Sequence, residues 1–201
     1  MESMRGRAFL LLSCFMISLL APFSPLASNA RAEDAKVCCE ATQVDLFLLG
    51  DVDLHLSPFA DLLSETSTSA SFETSITSSE QVGDWSLESA WPGTVPESTW
   101  TVELRYTVSD AGGAQLNMSA TVTIGGSSFT AFLGVDQQFV PQGSGTITID
   151  VPVDEVQVSG TSEIAVSVNA RTITFTVPSG GPKVEFFWGG EEHPSALTAV
   201  L

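Results

Sequence analysis

From Trp100 to Val108 apolar and polar residues alternate without a break. Trp100, Val102, Leu104, Tyr106 and Val108 stand against Thr101, Glu103, Arg105 and Thr107. Successive side chains of a strand point to opposite faces, so this pattern suits a strand with one face on a core and the other in water. The same period of two recurs at Val52, Leu54 and Leu56, set against Asp51, Asp53 and His55, and along Leu116, Met118, Ala120, Val122 and Ile124. It returns at Ile147, Ile149 and Val151, at Ile164, Val166 and Val168, at Ile173, Phe175 and Val177, and at Val184, Phe186 and Trp188. Weaker strand patterns cover 43–49, 69–77, 84–88, 127–133 and 154–158. Helical periodicity is missing throughout; Pro58 to Leu63 suits at most one turn.

Glycine-rich punctuation falls between these segments. It comprises Asp110-Ala111-Gly112-Gly113, Gly125-Gly126, Gln142-Gly143-Ser144-Gly145, Ser159-Gly160 and Pro178-Ser179-Gly180-Gly181-Pro182, all turn signals. About ten short strands spaced by roughly 8 to 12 residues predict an all-β fold, an antiparallel β-sandwich of jelly-roll or Ig-like type. The Ser/Thr-rich segment 64–80 reads in two ways. It suits an internal linker. The alternation of Ala70, Phe72, Thr74 and Ile76 suits an edge strand with a polar outer face.

Ahead of this lies a different kind of sequence. Arg5 and Arg7 precede the apolar run Ala8 to Ala21, Pro22 breaks it, and Ala30-Arg31-Ala32 offers small residues at a cleavage site. This is the layout of a secretory signal peptide over 1–32. The run is shorter than the roughly 20 residues of a spanning helix. The stretch before Cys14 is too short for the apolar core of a lipoprotein signal. No segment after residue 33 is apolar for long enough to span, so no transmembrane anchor is expected after cleavage. The expected organisation is a signal peptide at 1–32, an N-terminal arm with vicinal cysteines at 33–42, and a sandwich at 43–201. The expected location is secreted, extracellular or at the cell surface.

Cleavage would leave four basic residues, Lys36, Arg105, Arg171 and Lys183, against 23 of the 24 acids, a net charge of −19. Phosphate backbones demand Lys and Arg, so nucleic acid is excluded as a partner, and anionic lipid is disfavoured. The acids are dispersed among β-branched residues, a halophilic-type composition that marks a folded domain with a solvated acidic surface.

Few residues stand out as carriers of chemistry. Cys38 and Cys39 are the only cysteines after the signal. Four readings compete: a strained vicinal disulfide, a bridge to a second chain, a soft-metal site, or free thiols. Asp51 and Asp53 sit on one side of an expected strand, and Glu191, Glu192 and His193 crowd a loop after Trp188. Carboxylates and histidine of this kind suit a cation, and Ca2+ is the expected cofactor if one is bound. Trp91, in the turn Ala90-Trp91-Pro92-Gly93, is the tryptophan best placed to stack on a sugar. Trp85, Trp100 and Trp188 read as core. Asn117-Met118-Ser119 is an N-glycosylation triplet. The motifs of serine hydrolases, zinc proteases and phosphate-binding loops are missing, so the chain is expected not to be an enzyme.

The stretch Asp84 to Trp100 (DWSLESAWPGTVPESTW), followed by strands and ending in Phe186-Phe187-Trp188-Gly189-Gly190-Glu191-Glu192, resembles domains in acidic surface proteins of planktonic marine archaea. The resemblance covers composition and strand layout over roughly 43–195. It implies a cell-envelope setting in salt water and assigns no residue a role. The expected function is a secreted or cell-surface binding or structural module for adhesion or the envelope. Its expected partners are cell-envelope proteins or glycans, or a second copy of itself joined through the arm as an added strand. The alternatives are a metal-handling protein using Cys38, Cys39 and a histidine, and a carbohydrate-binding or carbohydrate-active protein.

Overall fold

The computed structural model describes residues 41–73, 78–90, 93–133, 138–158, 161–192 and 194–201. The signal peptide, most of the arm, Cys38, Cys39, Trp91 and His193 lie outside the described residues.

Among the described residues the alternation becomes twelve strands and a single 3-10 turn at Ala60–Leu62. The strands are β1 (Gln43–Leu49), β2 (His55–Ser57), β3 (Thr68–Phe72), β4 (Glu80–Ala90), β5 (Gly93–Val95) and β6 (Ser98–Ile124). They continue with β7 (Ser127–Phe132), β8 (Gln138–Val153), β9 (Val156–Val158), β10 (Thr161–Thr176), β11 (Lys183–Trp188) and β12 (Ala196–Val200). The architecture is an all-β sandwich type, a large mixed sheet with a separate β5–β9 pair.

β6 organises the sheet. At 27 residues a straight strand would run about 90 Å, several times the radius of gyration of about 15 Å expected for a domain of this size. It therefore has to bend, and it does so at Asp110–Gly113. Asp110 takes the left-handed conformation (φ 53°) that Asp tolerates better than most residues, and the register with β8 shifts between Val108 and Gly113. On one side β6 pairs in turn with β12, β11 and β10; on the other it pairs with β8 and then β7. Its two halves thus belong to opposite walls. A single parallel pair, His55 with Ser86, joins β2 to β4. The circuit β6–β10–β4–β2–β1–β12–β6 is thereby closed. Closure leaves fewer unpaired strand edges.

One hydrophobic core gathers side chains from this circuit and from β3, β8 and β11. Trp85, Trp100, Leu104, Leu116, Met118, Ile149, Phe186 and Leu197 are among its fully buried side chains. Trp85 and Trp188 meet edge to face at 5.3 Å, as do Phe72 and Phe186 at 5.4 Å.

Several expectations shift. The turn expected at Asp110–Gly113 is the bend inside β6, and the two strands around it are one. The turn expected at Gln142–Gly145 lies inside β8, because Gly145 faces Tyr106: a Cβ there would stand 2.6 Å from the Tyr106 hydroxyl. The Ser/Thr-rich segment contains β3, paired to β11 from Thr68–Trp188 to Phe72–Val184, so 68–72 is an edge strand of the sheet. The Asp51–Leu56 strand is cut to His55–Ser57. Residues 51–53 bend away, leaving Val52 85% exposed. Near the end of β10 the register slips between Thr172 and Thr174. Thr172 keeps the inward register of Ile164, Val166, Val168 and Ala170 and is buried; the slip after it exchanges faces, so Phe175 is buried, Ile173 is half-buried and Val177, expected inward, is exposed. Gly125-Gly126 does form the β6–β7 turn, with φ of 56° and 90°, as a two-residue hairpin with two positive φ angles requires.

Candidate functional site: a polar groove beside β1, β3 and β11

Among the described residues an open groove of about 450 Å³ lies beside β1, β3 and β11. Its construction begins where β1 ends. Gly50 turns the chain at φ 94°, and any Cβ there would lie 2.2 Å from the Asp53 carbonyl oxygen. The Trp188 indole N–H donates to the Gly50 carbonyl at 2.7 Å, which ties the end of β1 to the end of β11. Gly189, at φ 73°, continues the wall. Ser64 closes it: its backbone N–H donates to the Gly189 carbonyl at 2.8 Å, and its own carbonyl accepts from Glu191 N–H at 2.9 Å.

Asp51, His55, Ser64, Thr66 and Thr68 supply the polar lining, and Leu49 and Leu62 the apolar part. Three of these polar groups are held by hydrogen bonds. Asp51 Oδ1 accepts from Val52 N–H at 2.8 Å. His55 Nδ1 lies 3.0 Å from the Asp53 carbonyl, which suits a proton on Nδ1 and leaves Nε2 as the acceptor. The Ser64 hydroxyl has one hydrogen for two acceptors, the carbonyls of Thr66 and of Gly189, the latter at 3.3 Å. A carboxylate, an imidazole and hydroxyls in one open groove can orient a polar substrate by hydrogen bonds. The Ser64 proton is directed at backbone carbonyls, an arrangement that positions the loop.

Of the residues singled out from sequence, the structure brings Asp51 and His55 into this groove. Asp53 serves through its backbone carbonyl, and its side chain is exposed, as are Glu191 and Glu192. Among the described residues no three His, Cys, Asp or Glu side chains gather as a metal-binding set; Asp51, Asp53, Glu191 and Glu192 form none by themselves. His193, Trp91, Cys38 and Cys39 lie outside the described residues. Asn117 is half-buried in the middle of β6, opposite Arg171 of β10. Sequence reasoning missed Ser64, Thr66 and Thr68, which it read as part of either a linker or an edge strand. The Gly189-Gly190 pair was the available signal. Gly190 lies so close to Ser67 that a Cβ would meet its hydroxyl at 2.0 Å.

No family model matches the chain. No curated protein matches it either. Its fold is shared with solved structures. Two structures of a CocE/NonD family hydrolase from Staphylococcus aureus align with TM-scores of 0.50 and 0.51, at 10% and 8% identity. They cover 80% and 81% of this chain, which spans 37% of the hydrolase's own length in both cases. An aminopeptidase from a marine sediment archaeon, Thaumarchaeota archaeon, aligns with a TM-score of 0.49 at 11% identity, covering 80% of this chain and 36% of its own.

The likeness to the two CocE/NonD family hydrolase structures is one of fold, and it corrects the functional expectation. A non-enzymatic adhesion or envelope module, its metal-handling and carbohydrate alternatives, and the expectation that the chain is not an enzyme give way. The solved proteins that share this sandwich include hydrolases, which carry it as about a third of their length.

Proposed function

We propose that this chain is the β-sandwich component of a hydrolase and that its groove forms one wall of the substrate cleft. The observation that carries the reading is the alignment of four-fifths of the chain with part of a CocE/NonD family hydrolase. The groove supports it with a carboxylate, an imidazole and hydroxyls along one lining. Groups of that kind orient a substrate carbonyl or amine. The positively charged, then apolar, start of the sequence supports export, so the hydrolase would act outside the cytoplasm.

The test is recovery of the tagged full chain from its own cells under native conditions, followed by assay with short p-nitrophenyl esters and aminoacyl p-nitroanilides. Hydrolysis should travel with the chain, within it or with a polypeptide bound to it. Thr68→Trp, which crowds the groove, should raise KM more than it lowers kcat. Folded chain recovered free of any ester or peptide hydrolysis would refute the proposal.

A further inference from the structure

Arg105 is an unusual residue in this chain. It is one of seven basic residues among 24 acids, yet it makes no ion pair among the described residues, where the salt bridge seen is Lys183–Glu185. Its position follows from the alternation of β6, which turns Glu103, Arg105 and Thr107 outward. Directly across from Arg105 stand Thr146 of β8 on one side and Phe187 of β11 on the other. One guanidinium nitrogen, Nη1, donates to the Thr146 hydroxyl. Nε is sealed from solvent and has no acceptor.

Beside it is a pocket of about 130 Å³ lined by Arg105, Tyr106, Thr107, Ser144, Gly145 and Phe187. Thr107 and Ser144 share a hydroxyl–hydroxyl hydrogen bond of 2.8 Å, so between them one hydrogen stays free for a ligand. Burial raises the Tyr106 phenol above its ordinary 10.0, which keeps it neutral. The backbone is fixed from behind: Arg105 N–H donates to Ser195 Oγ at 2.9 Å, and that hydroxyl donates to the Phe187 carbonyl at 2.6 Å. A guanidinium with unused donors, next to a hydroxyl pair on a fixed backbone, is an acceptor-binding arrangement.

We propose that this pocket binds a carboxylate monoanion: a small carboxylic acid or the terminal carboxylate of a short peptide. Three physical facts select that class. The fork of Arg matches the two oxygens of a carboxylate. The volume equals about four water molecules at roughly 30 Å³ each, room for a carboxylate and one or two carbons. The chain's net charge of −17, with Glu103 and Glu185 on the same face, repels a dianion such as phosphate more strongly than a monoanion. Carboxylates are also the acid products of ester and peptide hydrolysis. The site itself stands on Arg105 and does not depend on the hydrolase reading.

The experiment is a titration of the 15N-labelled full chain at pH 7 with propionate, with a dipeptide, with the same dipeptide amidated at its C-terminus, and with phosphate. The Arg105 Nε–H resonance and the Thr107 and Ser144 amides report. Saturable shifts with propionate or the free dipeptide are expected; which of the two binds tighter tells the small acid from the peptide terminus. Arg105→Lys should weaken binding at least fivefold and Arg105→Gln abolish it. Ser144→Leu, which plugs the pocket and leaves Arg105 in place, should also abolish it, so a folding defect at Arg105 cannot decide the matter. No saturable shift, equal shifts with the amidated dipeptide, or tighter binding of phosphate would overturn the proposal. Hydrolysis is not read in this experiment, so its failure leaves the hydrolase proposal where it stood.

Discussion

Gly145 is an exacting position in the sheet, and replacing it by alanine tests why. Its Cβ would lie 2.6 Å from the Tyr106 hydroxyl oxygen, 2.7 Å from Cζ and 2.8 Å from Cε1. Carbon contacts relax near 3.5–4.0 Å, so the overlap is about 1 Å against a ring that is 5% exposed. Overpacking of that kind costs about 1–3 kcal/mol. Alanine in a strand regains about 0.5–1 kcal/mol over glycine, so the net loss for Gly145→Ala is about 1–2 kcal/mol. For a domain of this size each kcal/mol moves Tm by about 2–4 °C, and the expected fall is about 2–8 °C. The assay is equilibrium urea unfolding of the full chain, with Cm read at constant m. The cycle is completed in a Tyr106→Leu background, which removes the far edge of the ring. There Gly145→Ala should be neutral or stabilising, a coupling of about 1–3 kcal/mol. An equal loss in both backgrounds, or a loss below about 0.5 kcal/mol for Gly145→Ala alone, would refute the claim that the Tyr106 ring is what demands a glycine.

Two further outcomes follow from hydrogen bonds. Ser195, fully buried, joins Arg105 N–H to the Phe187 carbonyl. Ser195→Ala strands both groups and should cost about 2–3 kcal/mol, read by urea unfolding, with faster amide exchange at Arg105; an unchanged Arg105 exchange rate would count against this bridge. The Glu185 carboxyl is held below its ordinary 4.5, first by the hydrogen bond from Lys183 at 2.9 Å, helped by the Ser71 hydroxyl and opposed by burial. A depressed folded-state value contributes stability above pH 4.5 that disappears as pH falls through the lower folded value. The pair is partly in solvent, with side chains 41% and 21% exposed, so Glu185→Gln should cost only a few tenths of a kcal/mol at pH 7, and the cost should shrink as pH falls below 4.5 through the lower folded value. A cost that does not shrink as the carboxyl is titrated by acid would refute the assignment.

The sequence by itself determined the fold class and much of the core. Alternation is a local property, and each of Trp100, Leu104, Val122, Ile149, Val166 and Phe186 carries its face assignment within its own strand. The Gly125-Gly126 hairpin was equally legible, because two positive φ angles are a local demand. Trp85, Trp100 and Trp188 were recognisable as core from the same register.

Only the tertiary structure decided how far strands run and what they meet. Asp110–Gly113 and Gln142–Gly145 look like turns because glycine signals permission for unusual backbone or close approach, and the sequence does not say which. In β6 the glycines serve a bend that sends one strand into both walls. In β8, Gly145 makes room for a ring 39 positions away. The groove was illegible for the same reason. Gly50, Ser64 and Gly189 lie far apart in the chain and become neighbours because β1 and β11 end at the same place, tied by the Trp188–Gly50 hydrogen bond. Arg105 in its strand is one polar residue among several. Its lack of an ion pair among the described residues, its sealed Nε and the pocket beside it exist only once β8 and β11 are laid against β6, because long-range pairing brings donors together that no local spacing records.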